Sequence, residues 1–291
     1  FKELTSKDKI KLAKIPDKVY IPLNQHLGAP IEPVVKVGDK VKLGQKIGAG
    51  KSYVSAPIHA SVSGTVVAIQ KMAHPVLGYG ESIVIENDGL EEKDTTLAEM
   101  HQLDSEKLSA QELKELVLEA GIVGLGGATF PTHVKYTPPK EAKIEYVLLN
   151  GGECEPYLTS DHRVMVEKAD RIIKGLQYIM KMVGCDKGII GIEDNKQDAI
   201  EILTKKVAEL KNIEVKACPE KYPQGSEKHL IYVCLGRTVP SGKLPLDIGV
   251  VVNNVGTAIA VADAIDYRIP LIERVVTVSG QGVQNPANYL V

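Results

Sequence analysis

Residues Ile144-Glu-Tyr-Val-Leu-Leu149, followed at once by Asn150-Gly-Gly-Glu-Cys-Glu-Pro156, decide how this chain is read. The first six are a short apolar run fit for a strand buried within a parallel sheet, and such sheets collect ligands at the carboxyl ends of their strands. Asn150 to Glu155 are thereby delivered to that edge. Downstream, residues 163–183 read as a helix, with Val166, Ile172, Ile173, Leu176, Ile179 and Met180 on or near one face. A strand over 188–192, a helix over about 197–210 and a strand over 213–217 continue the alternation, which predicts a doubly wound α/β layer. The loops Tyr222-Pro-Gln-Gly-Ser-Glu227 and Asn253-Asn254 each follow a predicted strand and precede a predicted helix, so both are expected to reach the same edge.

Upstream lies Gly121-Ile-Val-Gly-Leu-Gly-Gly-Ala-Thr-Phe-Pro-Thr-His-Val-Lys135. Gly124, Gly126 and Gly127 lack Cβ atoms, so the backbone can take positive φ and bring its N–H groups close to a bulky anion. Pro131 suits the first turn of a helix, Thr129 or Thr132 is a candidate cap, and the positive helix end would face the anion, with Lys135 adding a charge. By itself this segment is not a G-x-G-x-x-G or P-loop signature, and a glycine cluster alone is more often only a loop.

At 291 residues the chain is long enough for two domains, with part of a third. Hydrophobic residues make up 44%, charged residues 25%, and the net charge is −2, which excludes a disordered chain and a basic nucleic-acid binder. No apolar run of about 18 residues exists, so no membrane-spanning helix is expected. Residues 16–87 read as short strands broken by glycine, with a Gly38-Asp39 turn between alternating apolar residues. His26, His59 and His74 lie there without metal-ligand spacing and read as surface or packing residues. Residues 97–120 turn helical through Leu108, Leu113, Leu116 and Val117, and the polar stretch 88–96 is the expected boundary. Cys154, Cys185, Cys218 and Cys234 form no C-x-x-C pair, which argues against a local zinc or iron–sulfur site and for buried thiols.

Four segments, the glycine loop, Asn150–Pro156, Tyr222–Lys228 and Val252–Thr257, occur together and in order. Together they resemble the flavin-bearing, NADH-oxidising subunit of respiratory complex I and, over nearly the whole chain, the C-subunit family of Rnf electron-transport complexes. That likeness begins at Pro16-Asp-Lys-Val-Tyr-Ile-Pro-Leu-Asn-Gln-His-Leu-Gly-Ala-Pro30 and runs to Asn285-Pro-Ala-Asn288. It implies an N-terminal region with an all-β barrel-sandwich hybrid (1–95), a Rossmann-like α/β domain for FMN and NADH (96–270), and the start of a β-grasp domain (271–291). The hybrid fold usually carries a modified lysine within Met-Lys-Met or Asp-Lys-Ala; neither tripeptide occurs, so a scaffold role is expected.

By the same resemblance, Gly124, Gly126, Gly127 and Lys135 cradle FMN, Asn150 and Glu153 hold its middle, and Asn253, Asn254 and Thr257 bind its phosphate end. Gly225 lets a facing loop come close, and Phe130, Glu155 and Glu227 are assigned to NADH. No side chain is expected to act as a catalytic acid or base. Two [4Fe–4S] clusters are expected in a longer protein of which this chain is a portion, and no metal within these residues. The implied setting is the cytoplasmic face of a membrane, with the other Rnf subunits as partners, ferredoxin reached indirectly, and no nucleic acid. Departures from the complex I pattern stand at Leu125 (arginine there), Gly152 (aspartate) and Ser226 (glutamate). With phenylalanine only at Phe1 and Phe130 and no tryptophan, the rings left for adenine are Tyr136, Tyr157 and Tyr222. A cobalamin reductase of the propanediol-utilisation type, and the flavin-free A component of sodium-pumping NADH:quinone oxidoreductase, are the alternative relatives.

Overall fold

The computed structural model describes residues 1–101, 104–139 and 141–291. In chain order the first elements are β1 (Lys11–Leu12), β2 (Lys18–Pro22), β3 (Glu32–Pro33), β4 (Lys40–Val41), β5 (Lys46–Ala49) and β6 (Ile58–His59). They are followed by β7 (Gly64–His74), β8 (Gly78–Asn87), α1 (Thr96–Glu99), α2 (Ala110–Glu119) and α3 (Thr132–Lys135). The second half holds β9 (Tyr146–Gly151), α4 (Ser160–Glu167), α5 (Ala169–Val183), β10 (Gly188–Glu193), α6 (Gln197–Val207) and β11 (Ile213–Cys218). It ends with α7 (Glu227–Leu235), β12 (Val250–Asn254), α8 (Val255–Asp266), β13 (Val275–Val278) and β14 (Ala287–Leu290).

Two compact units emerge: a barrel unit of residues 14–135 and 263–273, and a parallel-sheet unit of residues 1–13, 136–262 and 274–291. In the barrel unit, one sheet runs β2-β8-β7-β4 and another β3-β5-β6. Ile21, Ile47, Ile58, Val66, Ile83 and Ile85 belong to the core that they share. β7 and β8 are not short: they span 11 and 10 residues and pair antiparallel, with a bulge between Val66 and Ala68. The Gly38-Asp39 turn closes no hairpin, because β3 and β4 on either side of it belong to different sheets; Gly38 N donates to Val66 O at 2.8 Å as the chain crosses over. Burial disfavours the charged form of His59 and lowers its pKa to about 4, as a packed histidine requires.

The expected boundary at 88–96 is tied to the barrel instead, since Leu43 N donates to Glu92 O and Asp94 N to Leu43 O. The helical stretch predicted over 97–120 is broken into α1, a 3-10 turn at Ser105–Lys107 and α2, and it too belongs to this unit. α2 is capped by Ser109 and Glu112, which satisfy one another's backbone N–H groups. Its end is fixed by an ion pair of Glu119 with Lys46 and by Gly121, where a Cβ would collide with Pro57 O.

In the parallel-sheet unit the order is β11-β10-β9-β12, all parallel. A Cβ at Gly188 would meet Met180 and Leu176 of α5, and one at Gly191 would meet Leu230 and Cys234 of α7. Successive residues of a strand face opposite ways, so these helices cover opposite faces of β10, and every β10 residue is buried. The helix predicted over 163–183 is two: Lys168, at φ −124° and ψ 30°, separates α4 from α5. α5 approaches α8 closely at Gly175, where a Cβ would collide with Ala258 O. β1 pairs with β14, and β14 with β13, in a small three-stranded sheet.

Candidate functional site

The carboxyl edge of the parallel sheet is where the sequence placed the ligand. Asn150 sits near the end of β9; its Nδ2 donates to Gly225 O at 2.7 Å and its Oδ1 accepts from Gly152 N at 2.9 Å. One amide thus joins the loop after β9 to the loop before α7. A Cβ at Gly152 would lie 3.2 Å from Gly225 Cα, and one at Gly225 would lie 3.0 Å from Gly152 O. Gly225 does admit a facing loop, and the same approach leaves little room for an aspartate at 152.

Glu153 is 3% exposed and turns toward the start of α4. Its Oε1 accepts from Asp161 N at 2.8 Å and Ser160 Oγ at 3.3 Å, while Oε2 accepts from His162 N at 3.4 Å. Thr159, at the cap position, makes no side-chain bond to the helix start, so Glu153 supplies the cap from upstream. Glu153 N donates to Glu193 Oε2 at 2.9 Å, and Glu193 is paired with buried Lys196. Lys2 Nζ donates to Glu153 O at 2.5 Å and Leu158 O at 2.6 Å, and stands 3.9 Å from Glu153 Oε2. Burial, then the neighbouring Asp161 carboxyl, raise the Glu153 pKa to about 7; burial likewise raises that of Asp161.

No loop separates β12 from α8: Asn253 and Asn254 end the strand and the helix begins at Val255. Asn254 is satisfied at both ends, its Nδ2 donating to Asp161 Oδ2 at 2.6 Å and its Oδ1 accepting from Gly256 N at 2.8 Å and Thr257 N at 3.3 Å. It caps α8. Asn253 differs, for its Oδ1 accepts from Tyr136 Oη at 3.1 Å while its buried Nδ2 has no partner among the described residues. Gln224, 1% exposed beside Gly225, has an unpartnered Nε2 as well. Sequence reading missed Gln224; a polar residue beside the glycine of a ligand loop was the available signal.

Tyr136 is fully buried and offers no face to adenine, which removes it from the expected stacking rings. Tyr222 is 68% exposed, its hydroxyl 3.5 Å from Glu155 Oε1, and Tyr157 packs with Phe1 at a centroid distance of 5.3 Å. Glu155 is exposed, and Glu227 is the first residue of α7. Cys185, Cys218 and Cys234 are buried free thiols and Cys154 is half-buried; Cys218 and Cys234 stand 3.6 Å apart. Among the described residues, no group of three or more His, Cys, Asp or Glu is placed to hold a metal ion. None of the helices described is long and apolar enough to cross a membrane.

Gly124, Gly126, Gly127, Phe130 and Lys135 belong to the barrel unit. A bridge between Val123 and Pro131 closes their loop, with Gly124 N donating to Phe130 O at 3.0 Å and Thr132 N to Ile122 O at 3.0 Å. Gly126 and Gly127 are exposed; Gly127 has φ +152° and open space where a Cβ would go. Neither threonine caps α3: Thr129 Oγ1 donates to Ala128 O at 2.8 Å, and buried Thr132 Oγ1 has no partner among the described residues. α3 has only four residues, too few peptide dipoles to direct at an anion. The loop therefore presents no helix end to an anion.

Unpaired amide donors at the carboxyl edge of a parallel sheet stand where α/β folds commonly take ligands. Residues 117–263, about half the chain, match the Nuo51 FMN-binding domain, and residues 1–90 match the RnfC barrel sandwich hybrid domain. The chain is 50% identical over 290 residues to the C subunit of the proton-translocating ferredoxin:NAD(+) oxidoreductase complex of Clostridium ljungdahlii, covering 100% of this chain and 63% of that protein. It is 48% identical over 285 residues to the C subunit of the Na(+)-translocating ferredoxin:NAD(+) oxidoreductase complex of Acetobacterium woodii, covering 98% and 64%. A crystal structure of an NAD+-reducing [NiFe]-hydrogenase shares the fold, with TM-score 0.55 and 22% identity over 66% of this chain and 38% of that one. The chain belongs to the Nuo51 FMN-binding domain family and is similar to the C subunits of ion-translocating ferredoxin:NAD(+) oxidoreductases. It spans a little under two thirds of the length of these two relatives.

Proposed function

We propose that this chain is the FMN-bearing, NADH-oxidising part of the C subunit of an Rnf-type complex, peripheral on the cytoplasmic side of a membrane and working with the other subunits to couple NADH and ferredoxin. The single observation that carries the reading is the pair of buried, unpartnered amide donors, Asn253 Nδ2 and Gln224 Nε2, in a region matching the FMN domain. FMN fits this chemistry, because its phosphate, ribityl hydroxyls and ring carbonyls are acceptors, and a buried donor left unmade is costly.

When bound, FMN accepts the two electrons of a hydride together and releases them singly. Asn253 and Gln224 donate to FMN oxygens, Asn150 holds the two loops that face it, and Glu153 and Asn254 set the starts of α4 and α8. Gly124, Gly126, Gly127, Lys135 and Thr257 keep the flavin role that the resemblance gives them. Glu155 and Glu227 contact NADH, with Phe130 assigned by likeness. The chain's work is orientation and exclusion of water rather than proton transfer. We read the sheet of residues 146–254 as Rossmann-like and β13–β14 as the start of a β-grasp domain. The two [4Fe–4S] clusters belong outside these 291 residues.

Titration of the purified chain with FMN tests the proposal. Quenching of flavin fluorescence, bleaching by NADH under anaerobic conditions and reduction of ferricyanide are the expected results, with no stoichiometric iron. Absence of FMN binding would favour a flavin-free role, and about four iron atoms with four acid-labile sulfides per chain would show that the cysteines converge on a cluster after all.

A further inference from the structure

The two adjacent asparagines at the end of β12 are held in opposite senses. Asn254 meets an acceptor, the Asp161 carboxylate, which takes its Nδ2 and leaves Oδ1 to cap α8. Asn253 meets a donor instead, the Tyr136 hydroxyl, which takes its Oδ1 at 3.1 Å and leaves Nδ2 without a partner among the described residues. Both members of this second pair are buried, Tyr136 at 0% and Asn253 at 5% exposure. The strand cannot rotate Asn253 away, because Asn253 is in register with Leu149 of β9.

We propose that Tyr136 is a positioning residue that commits Asn253 to be a donor toward an oxygen of FMN. The assignment rests on the flavin reading given above. Turned the other way, the amide would point Nδ2 at the phenol oxygen, strand the phenol proton with no acceptor, and aim Oδ1 at the acceptor oxygens of the flavin. Every consequence of that flip is unfavourable, and water cannot relieve it at a fully buried hydroxyl. Burial also keeps the phenol in its protonated, donating form. Tyr136 touches Asn253 rather than ligand, so it selects the chemistry of the site while remaining outside it: an anion or carbonyl is accepted, a donor-rich ligand is not.

The test is an FMN titration by fluorescence quenching on the parent chain, Tyr136→Phe, Asn253→Ala and the double variant, with circular dichroism recorded on each. Tyr136→Phe keeps the ring and loses only the hydroxyl; it is expected to weaken FMN binding about tenfold, the effect of one buried hydrogen bond. In the Asn253→Ala background the same change should do nothing further, since Tyr136 acts only through that amide. Asn253→Asp is the second arm: it preserves an acceptor for the phenol but replaces the donor by an oxygen, and should lose at least about tenfold in FMN affinity with the fold intact. Unchanged binding in Tyr136→Phe or Asn253→Asp overturns the inference, as does an equal loss from Tyr136→Phe with and without Asn253. A parent chain that binds no FMN fails in the first titration, and then the flavin reading falls along with it.

Discussion

Replacing Glu153 by Gln removes a carboxyl that the fold holds partly protonated, and the effect on stability has a definite sign. The folded chain raises the Glu153 pKa from 4.5 to about 7, chiefly by burial and secondly through Asp161. Between those values the folded state binds the proton more tightly than the unfolded state does, so unfolding releases it and stability falls as pH rises. At about 1.4 kcal/mol for each tenfold change in proton affinity, a rise from 4.5 to about 7 amounts to roughly 3 to 4 kcal/mol at most. Gln keeps one oxygen for Asp161 N but cannot ionise, and its amide N–H groups face the His162 N–H, at a cost of about 1 kcal/mol. The variant is therefore expected to be slightly the less stable protein at pH 4.5, to draw level near pH 5 and to be the more stable protein at pH 8. Urea unfolding followed by far-ultraviolet circular dichroism at half-unit steps from pH 4.5 to 8 measures this directly. Parallel stability–pH curves for parent and variant would refute the reasoning.

The remaining expectations concern the ligands. Gly127→Val, placed in open space but at φ +152°, should abolish FMN binding while leaving the circular dichroism near that of the parent; equal FMN affinity would remove the loop from the flavin site. Glu155→Gln and Glu227→Gln should raise the NADH concentration needed to bleach the flavin and spare bound FMN, and loss of FMN with an unchanged NADH response would reverse those roles. The barrel unit should carry no lipoyl or biotinyl group, which intact-mass measurement of the purified protein decides.

What the sequence made legible was local. The apolar run before Asn150, the amphipathic face through Ile172, Leu176 and Ile179, and the alternation of strand and helix each rest on near neighbours. What it hid depends on distant partners. Glu153 reads as a flavin contact at the sheet edge until α4 folds back onto it, and Asn253 and Asn254 read alike until Tyr136 and Asp161 arrive from far upstream. The grouping of α2 with the barrel rests on Glu119 meeting Lys46 and on the absence of a side chain at Gly121, neither of which a periodicity reports. β1, two residues long, has no strand signal of its own and exists because β14 lies alongside it.

The amide of Asn254 has a consequence for how this edge comes apart. It is bonded at one end to Asp161 in the first turn of α4 and at the other to the backbone N–H groups of Gly256 and Thr257 in α8, while Glu153 holds the backbone of Asp161 from the other side. Helix ends ordinarily fray one at a time, each opening at little cost. Here both starts lean on the one amide, so unwinding either removes part of what orients the cap of the other, and the two first turns are expected to open in a coupled way.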